Sequence, residues 1–462
     1  MMRYKSCLLA CVLILAACAC SLGQKRDVKR VIVISLDGLD ARYLNRRDEY
    51  GLKIPTLRRL LASGAAARGV FSIYPSVTYP AHTTIVTGAL PFRHGILGNE
   101  LFEPPGTEKT GEWNWYARDI KTDTLWDAAA RSGLKTAMVS WPVSVGAGDY
   151  NFPEILSVDG GGLMGTLARI KANDRPEGLV EELERRDPQL YNRSNADETD
   201  DLRTRFAEYI VAEKRPDLLL VHLFDLDHFQ HVHGPFTPEA FAMLEKVDGY
   251  VGRILDAAAR AGTLNETAVF IVSDHGFMPI TQQVHPGVLM VQAGLISMRE
   301  VKRVDRVYQM EVVNWRAMPY VTSGSCSIIL RDPQDMETLK KVRAIFEPLA
   351  GKKGSGIFRV IEASEVERLG GNPRAALMID AEAGYTFGKN LTGGFITPSE
   401  QRGQHGYLPT RPDYKASLIV SGAGVRRRGS LGDVRMIDLA QTIARLLKLK
   451  LKDAEGRALP LK

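Results

Sequence analysis

Short apolar runs that end in polar residues recur along the chain. The first reads KRVIVISLDGLD and ends on Asp-Gly and Leu-Asp, and the later runs have the same character. Each run is apolar on both faces, which is typical of buried parallel strands. The predicted strands are residues 29–40, 135–142, 216–227, 267–276 and 416–424.

Stretches with helical periodicity separate these runs. Strands that alternate with helices predict an α/β sandwich around a mostly parallel central sheet flanked by helices. Functional groups in such sheets gather at the carboxyl ends of the strands. Asp37, Asp225, Asp227, Asp274 and His275 all fall at such ends. The predicted helices are residues 54–63, 121–132, 199–214, 237–261 and 434–448.

The pattern changes between residues 291 and 400. Strand-like runs there flank one helical stretch at 332–349, which predicts a small α+β domain inserted into the main fold. The main core would then comprise residues 28–290 and 401–462. Residues 150–198, rich in Gly, Asp, Asn and Arg, are expected to form a surface excursion near the mouth of the site.

The N-terminus predicts export. MMRYK is a short basic segment, and SCLLACVLILAACAC is an apolar run too short to count as a spanning helix. Residues 1–23 therefore read as a signal peptide. Residues 15–18 also resemble a bacterial lipobox, in which Cys18 would be lipidated and attach the chain to a membrane. The alternative is cleavage near Ala19 or Gly23 and release of a soluble protein. The protein is therefore expected to be periplasmic, an outer-membrane lipoprotein or secreted.

Cysteine usage and charge narrow the range of functions. Four of the five cysteines lie in or beside the signal, so Cys326 alone remains and no disulfide framework can form in the mature domain. The formal net charge of the whole chain is +6, with Arg426–Arg428 as the longest basic run. This mild excess gives no case for binding a nucleic-acid polymer, and it is compatible with a small anionic substrate.

Residues 75–88, PSVTYPAHTTIVTG, concentrate hydroxyl side chains. A hydroxyl needs a base or a metal to become a nucleophile. Aspartates and histidines that could hold metal occur in separate stretches, at or just past strand ends. Carboxylate and imidazole groups are the ligands of dinuclear zinc sites. A single Asp-His pair would be weak evidence, but four such groups together with a hydroxyl-bearing turn favour a metal-activated hydroxyl.

Six stretches make the pattern specific. They are VISLDGLD, YPSVTYPAHTTIVTGALPFRHGILGN, TLWDAAARSGLKTAMVSWP, DLDHFQHVHGP, SDHGF and GQHGY. In this order and spacing, the chain resembles the nucleotide pyrophosphatase/phosphodiesterase family of the alkaline phosphatase superfamily, as a bacterial exported member. The resemblance runs from residue 29 to about 450 and implies an alkaline phosphatase-like sandwich.

The resemblance also implies roles for individual residues. Thr78 would be the nucleophile that forms a phospho-threonine intermediate, and Asn99 would donate a hydrogen bond to a phosphoryl oxygen. Tyr79 would stand where a base or another leaving group stacks. Two zinc ions would be bound, the first by Asp37, Thr78, Asp274 and His275 and the second by Asp227, His231 and His405.

The residues around Thr78 support its role as the nucleophile. Pro80 suits the first turn of a helix, which would place Thr78 at the helix end that attracts phosphate. Ser76, Thr83, Thr84 and Thr87 are expected instead to pack or bond to the backbone.

Two other polar residues are expected to have structural roles. Asp225 is expected to be a turn residue or a neighbour of the ligands. His222 is expected to be a satisfied core histidine.

The activity implied is zinc-dependent hydrolysis of phosphodiester or pyrophosphate bonds in nucleotides or related esters. The alternative on the same site is a phosphomonoesterase or phosphonate hydrolase. A Lys-x-Arg pair seen in one monoesterase branch is not apparent around SWPVSVGAG, which favours the diesterase. A non-catalytic binding protein would be expected to lack a ligand, and all seven expected positions are filled. Ala81 stands where many family members have Asn, which weakens any transfer of substrate preference.

Overall fold

The computed structural model describes residues 28–107, 110–157, 162–191, 199–302 and 308–462. The predicted signal peptide and the candidate lipid-attachment residue Cys18 lie outside these ranges. Within them, no helix is both long and apolar enough to cross a membrane.

An eight-stranded sheet forms the centre of the molecule. Its first strand in sequence, Arg30–Leu36, lies between Leu218–Leu223 and Thr267–Val272 and runs parallel to both. All five predicted strands are present in this sheet. In spatial order the strands are Gly429–Ser430, Ala65–Ala66, Leu418–Gly422, Thr267–Val272, Arg30–Leu36, Leu218–Leu223, Thr136–Val139 and Tyr150–Phe152.

Two expectations about this sheet were wrong in part. Leu418–Gly422 runs antiparallel to Thr267–Val272, although its apolar sequence was interpreted as a parallel strand. Burial on both faces produces the same pattern for either direction. Tyr150–Phe152 is a parallel edge strand beside Thr136–Val139, so the stretch predicted as a surface excursion begins inside the sheet.

Both faces of the sheet are covered. Val31 and Val33 belong to one buried apolar cluster, whereas Ile32 and Ile34 belong to another, because successive side chains of a strand point to opposite faces. This alternation confirms the predicted sandwich and explains why the strand sequences are apolar throughout.

Pro238–Arg260 packs on one face and Asp438–Leu446 on the other, and the ends of several helices follow familiar signals. Thr124 and Asp127 form a capping box at the start of Leu125–Arg131, and Thr237 caps the longest helix, Pro238–Arg260. The α-helices are Ala41–Asn45, Pro55–Ser63, Thr78–Thr87, Pro91–His94, Leu125–Arg131, Gly162–Lys171, Leu179–Arg186, Asp200–Tyr209, Asp225–His233, Pro238–Arg260, Pro286–Gln292, Met336–Phe346, Ala363–Arg368 and Asp438–Leu446. Shorter turns of other helix types are Ala117–Asp119, Ile210–Lys214 and Leu264–Glu266.

A separate antiparallel sheet lies within the stretch predicted as an insertion. The helix Met336–Phe346 connects two of its strands in sequence. The four strands, in spatial order, are Ala317–Thr322, Ser325–Leu330, Ala375–Ala381 and Ile357–Glu362. A hairpin of Ile296–Lys302 and Tyr308–Trp315 precedes it.

A further small sheet joins residues from both sides of the predicted boundary at residue 290. Its central strand, Met278–Val284, pairs with Gly384–Phe387 and Ile396–Pro398 and also with Gly403–Gln404. The division into core and insertion therefore stays a prediction. Gly69–Phe71 and Asp433–Arg435 form a further parallel pair of strands.

Candidate active site

Acidic side chains cluster at one edge of the central sheet. Asp37 follows the strand Arg30–Leu36 directly, and Asp274 follows Thr267–Val272 by one intervening serine. Asp227 lies in the helix that starts just after Leu218–Leu223. Because these strands are parallel neighbours, their carboxyl ends bring the three carboxylates to the same place.

The first group of predicted ligands surrounds His275. Its Nε2 atom lies 3.2 Å from Oδ1 of Asp37 and 3.1 Å from Oδ2 of Asp274. All three side chains are buried. Their ligand atoms all lie within 4.8 Å of one another, a spacing that a single metal ion can bridge.

The second group surrounds Asp227. His231 Nε2 lies 3.2 Å from Asp227 Oδ2, and His405 Nε2 lies 3.8 Å from Asp227 Oδ1. The rings of His275 and His405 stack with centroids 3.7 Å apart, so the two groups adjoin. The structure thus brings all six predicted Asp and His ligands together.

Several atoms of this cluster are buried without a hydrogen-bond partner. They are Oδ1 of Asp37, Oδ1 of Asp227, Oδ2 of Asp274 and Nε2 of His275. Unpartnered buried polar atoms are costly, and the carboxylates of Asp37, Asp227 and Asp274 repel one another. Bound divalent metal would satisfy these atoms, and the oxygen and nitrogen donors fit zinc. The residues present therefore fit a metal centre.

Burial sets the protonation of the cluster in the absence of metal. It raises the pKa of Asp274 to about 7, with the nearby Asp227 carboxylate acting in the same direction. Burial and then the charge of Asp274 raise the pKa of Asp37 well above its usual range. Burial lowers the pKa of His405 to about 4, so this imidazole is neutral at physiological pH, as a metal ligand must be.

Thr78 is the first residue of the helix Thr78–Thr87, as predicted from Pro80. Val77 before it is extended, so the backbone turns sharply at the helix start. His82 holds this turn, because Nδ1 bonds to the Thr78 carbonyl at 2.8 Å and lies 3.7 Å from Asp274 Oδ2. The helix end that carries Thr78 therefore lies against the first ligand group.

The neighbouring hydroxyls are engaged elsewhere. Ser76 donates to the Tyr407 carbonyl at 2.6 Å, and Thr84 donates to the Ala89 carbonyl. Thr83 and Thr87 each donate to the carbonyl four residues earlier in their own helix. These contacts confirm the expectation that all four hydroxyls bond to the backbone.

Asn99 is tied to the same helix start. Its Oδ1 accepts a hydrogen bond from the Tyr79 backbone N–H at 2.9 Å. With the oxygen used in this way, the amide NH₂ remains as the donor of the side chain. Asn99 also lines a cavity of about 530 Å³, together with His231, His405 and Trp113.

The Tyr79 side chain does not lie where a stacking surface was expected. It is 1% exposed, and Trp113 and Trp115 meet its ring edge-on with centroids 5.4 and 5.8 Å away. A ring covered in this way offers no open face to a base, so this part of the expectation does not fit the structure. Among the described aromatic side chains that line the cavity, Trp113 is half-buried whereas Tyr320 and Phe387 are buried, and one face of the Trp113 ring stacks on Trp115.

The Tyr79 hydroxyl begins a chain of buried polar groups that the sequence did not predict. It donates to Glu154 Oε1 at 2.8 Å, and Glu154 Oε2 lies 2.8 Å from His222 Nδ1. Nε2 of His222 then lies 2.9 Å from Oδ2 of Asp37. His222 is satisfied, as expected of a core histidine, but one of its partners is a predicted metal ligand. The only sequence signal was a histidine inside an otherwise apolar run.

Asp225 contacts none of the predicted ligands through its side chain, and instead it caps a helix. Its oxygens accept from the backbone N–H groups of Thr199 and Asp200. Asp200 in turn accepts from the N–H groups of Phe224 and Asp225. This reciprocal pair fixes the start of the helix that carries Asp227 and His231. The expectation that Asp225 is a turn residue rather than a ligand fits these contacts.

A match over most of the chain identifies the family. Residues 31–408 match the family model for type I phosphodiesterase/nucleotide pyrophosphatase. The chain belongs to this family of phosphodiester and pyrophosphate hydrolases.

Curated relatives match about half of the chain at low sequence identity. Human ectonucleotide pyrophosphatase/phosphodiesterase family member 1 is 25% identical over 252 residues, which are 53% of this chain and 23% of the relative. An uncharacterized pyrophosphatase/phosphodiesterase of Schizosaccharomyces pombe is 27% identical over 259 residues, 54% of this chain and 45% of the relative. The chain thus matches less than half of the length of either relative.

A solved structure shows the same fold over nearly the whole chain. Murine ectonucleotide pyrophosphatase/phosphodiesterase 5, as an inactive variant in complex with AMP, superimposes with a TM-score of 0.64 at 18% identity. The superposition covers 93% of this chain and 97% of the murine one. At this identity the likeness shows the fold alone.

Proposed function

We propose that the protein is a zinc-dependent phosphodiesterase that hydrolyses phosphodiester or pyrophosphate bonds in nucleotides or related esters. The observation that carries this proposal is the meeting of two Asp/His groups with the start of the Thr78 helix at one sheet edge. The family and the AMP-bound state of the murine neighbour support the substrate class.

Two zinc ions are proposed for the two groups. Asp37, Asp274 and His275, with Thr78 as a fourth ligand, would hold the first. Asp227, His231 and His405 would hold the second. Zinc bound there supplies Lewis acidity, which lowers the pKa of a coordinated hydroxyl and offsets charge on phosphate oxygens.

Thr78 is the proposed nucleophile. Its Oγ would lose its proton and bond to the substrate phosphorus while the bond from phosphorus to the leaving-group oxygen breaks, and the leaving group would take up a proton. A diester would leave a phospho-threonine that still carries the other ester group. Water would then cleave that ester and restore the hydroxyl. In the first helical turn the Tyr79 N–H donates to Asn99 and the Ala81 N–H donates to the Val77 carbonyl, whereas Pro80 has no N–H. The Thr78 N–H is therefore the backbone donor proposed to favour an anion at this position.

Asn99 and Trp113 are proposed to contact substrate. The free NH₂ of Asn99 would donate to a non-bridging phosphoryl oxygen, since its Oδ1 is occupied by the Tyr79 N–H. Trp113 would stack on a base, a role that the buried Tyr79 ring cannot take directly. Tyr79 would then support the site indirectly, because its ring contacts Trp113 and its hydroxyl donates to Glu154.

A diester is the preferred substrate class on charge grounds. A monoester carries an additional negative charge that needs a further cation. Among the described side chains that line the cavity there is one lysine and no arginine, and this Lys389 already forms an ion pair with Glu100. This supports the diesterase over the monoesterase alternative.

Localisation follows from the N-terminal sequence. We propose that residues 1–23 direct export and that Cys18 can carry a lipid, which would leave the enzyme in the periplasm, on the outer membrane or secreted. The proposed core and insertion, divided near residues 290 and 400, would be exported as one chain.

The function is tested by comparing four substrates at equal concentration. They are a nitrophenyl nucleotide diester, nitrophenyl phosphate, a dinucleotide polyphosphate and a phosphocholine ester. We expect the highest kcat/KM for the nucleotide diester or the dinucleotide polyphosphate, with two zinc ions per chain by elemental analysis. A higher value for nitrophenyl phosphate would indicate the monoesterase, and the absence of stoichiometric metal would contradict the proposal altogether.

A further inference from the structure

We propose that the chain carries a second site, which binds the headgroup and adjoining acyl chain of an anionic phospholipid at a membrane surface. The site is a cavity of about 1080 Å³ formed by the loop after the strand Leu418–Gly422, the end of the helix Asp438–Leu446 and residues 459–462. This inference concerns a different part of the molecule from the proposed catalytic function and does not depend on it.

The cavity lies at the edge of the sheet opposite the metal-ligand cluster. Gly422, in its wall, pairs with Ala268 near the amino end of the strand Thr267–Val272, whereas Asp274 follows the carboxyl end of that strand. At about 3.3 Å per residue, the two sites are roughly 20 Å apart along the strand direction. A ligand at one site therefore leaves the other uncovered.

The floor of the cavity is apolar. Leu459 and Leu461 are 9% and 4% exposed and belong to the buried cluster on this face of the sheet. Leu446, Val425 and Val28 are half-buried and pack against the same cluster. The three half-buried side chains therefore offer a surface that a hydrocarbon chain can cover, above the buried leucines.

The rim of the cavity is cationic. Five exposed basic side chains line it, and the lining includes no aspartate or glutamate. None of the five forms an ion pair within the described residues. They are Arg426, Arg428, Arg445, Lys448 and Lys462. Unneutralised cations around a concave surface attract an anion strongly.

Backbone hydrogen bonds hold the two sides of the cavity together. The Arg426 N–H donates to the Leu461 carbonyl at 2.8 Å, and the Leu459 N–H donates to Thr442 Oγ1 at 2.9 Å. The loop that carries the arginines and the segment that forms the floor are thus fixed to each other and to the helix. The relative position of the arginine loop and the floor is therefore set by hydrogen bonds of the fold.

An apolar floor inside a cationic rim matches an anionic amphiphile. A nucleic acid or free phosphate would use the rim but leave the floor exposed, whereas a phospholipid would occupy both. The position of Val28 supports a membrane phospholipid as the ligand of this cavity. Val28 lines the cavity, and the predicted lipid-attachment residue Cys18 lies ten residues earlier, a reach of at most roughly 35 Å. A chain attached there would keep this end near the bilayer.

The test is sedimentation of the chain without the proposed signal peptide, with vesicles of phosphatidylcholine alone and of phosphatidylcholine with phosphatidylglycerol. The variant R426Q/R428Q/R445Q removes three rim cations, and the control K340Q/K341Q/K353Q removes three exposed lysines of the antiparallel-sheet region. All three proteins begin at residue 24, because the apolar run of the proposed signal peptide would bind either kind of vesicle. Melting temperature and diester turnover verify that the variants are folded.

We expect the unmodified chain to prefer the anionic vesicles and the rim variant to lose at least tenfold in binding to them, since each cation near an anionic membrane contributes severalfold. The lysine control should bind within about twofold of the unmodified chain. Equal binding to both vesicle types, or equal losses in the rim variant and the control, would overturn the proposal. Displacement by millimolar inorganic phosphate would do the same, because it would identify a simple anion site.

Discussion

Nε2 of His222 lies 2.9 Å from Oδ2 of Asp37, and both side chains are buried. The other ring nitrogen of His222 lies 2.8 Å from Glu154. Asp37 thus has one oxygen held by a histidine and the other directed, without a protein partner, toward His275 and Asp274. An outer partner of this kind fixes the orientation of a ligand before the metal binds.

This relationship predicts the effect of removing the imidazole. His222→Gln should weaken zinc affinity by about 10–100-fold, the usual cost of losing a partner of a metal ligand. The matched control is His94→Gln, because His94 is also buried but contacts Thr84 and the Ile96 backbone. Competition with a chromogenic chelator measures the affinity. Equal zinc affinity in the His222 variant and the unmodified protein would show that Asp37 needs no such support.

Zinc binding should depend on pH in a defined direction. In the metal-free site the pKa of Asp274 is about 7, raised by burial and by Asp227, so below that pH a proton occupies the carboxylate that metal needs. Zinc affinity should therefore rise from pH 6 to pH 8, by up to about tenfold per pH unit below 7. His405, with a pKa of about 4, is already neutral and adds no slope there.

Chelator competition at several pH values, corrected for the chelator's own titration, measures this dependence. Asp274→Asn should bind zinc more weakly at every pH and should lose the part of the slope that comes from this proton. An affinity that stays constant between pH 6 and pH 8 in the unmodified protein would contradict the assignment.

Asn99 should affect chemistry rather than metal binding. Asn99→Ala removes the proposed donor to the phosphoryl oxygen, and kcat should fall by about 10²–10³-fold, as for the loss of one oxyanion donor. Asn99→Asp still accepts from the Tyr79 N–H, so it retains the anchor to the helix while losing the donor. Both variants should keep normal zinc content. Near-normal turnover of the Asp variant would show that Asn99 only anchors the helix.

Trp113 should determine the preference for a base. Stacking of a base on an aromatic side chain is worth about 1–3 kcal/mol, so Trp113→Ala should lower kcat/KM for a nucleotide diester by about one to two decades. A small dialkyl diester has no base and serves as the internal control, with a much smaller loss. Equal losses on both substrates would mean that Trp113 supports the site without contacting the base.

The sequence predicted the elements that are local and missed the contacts between distant segments. Asp37 and Asp274 could be selected because each follows a buried apolar run directly. The role of Glu154 could not, because its partners Tyr79 and His222 are 75 and 68 residues away in the chain. The burial of Tyr79 likewise depends on Trp113 and Trp115, which a loop brings over its ring. Strand direction was missed at Leu418–Gly422 because a buried strand has the same composition in either direction.

The most direct test of the account is acid-quenched turnover of a nucleotide diester followed by mass spectrometry of the digested protein. We expect a nucleotidyl group bonded through its phosphorus to Thr78 in the unmodified enzyme, and none in Thr78→Ala, which should bind zinc nearly as well but lack turnover. Labelling of Ser76 or Thr83, or sustained turnover by the Thr78→Ala variant, would contradict the assignment of Thr78 as the nucleophile.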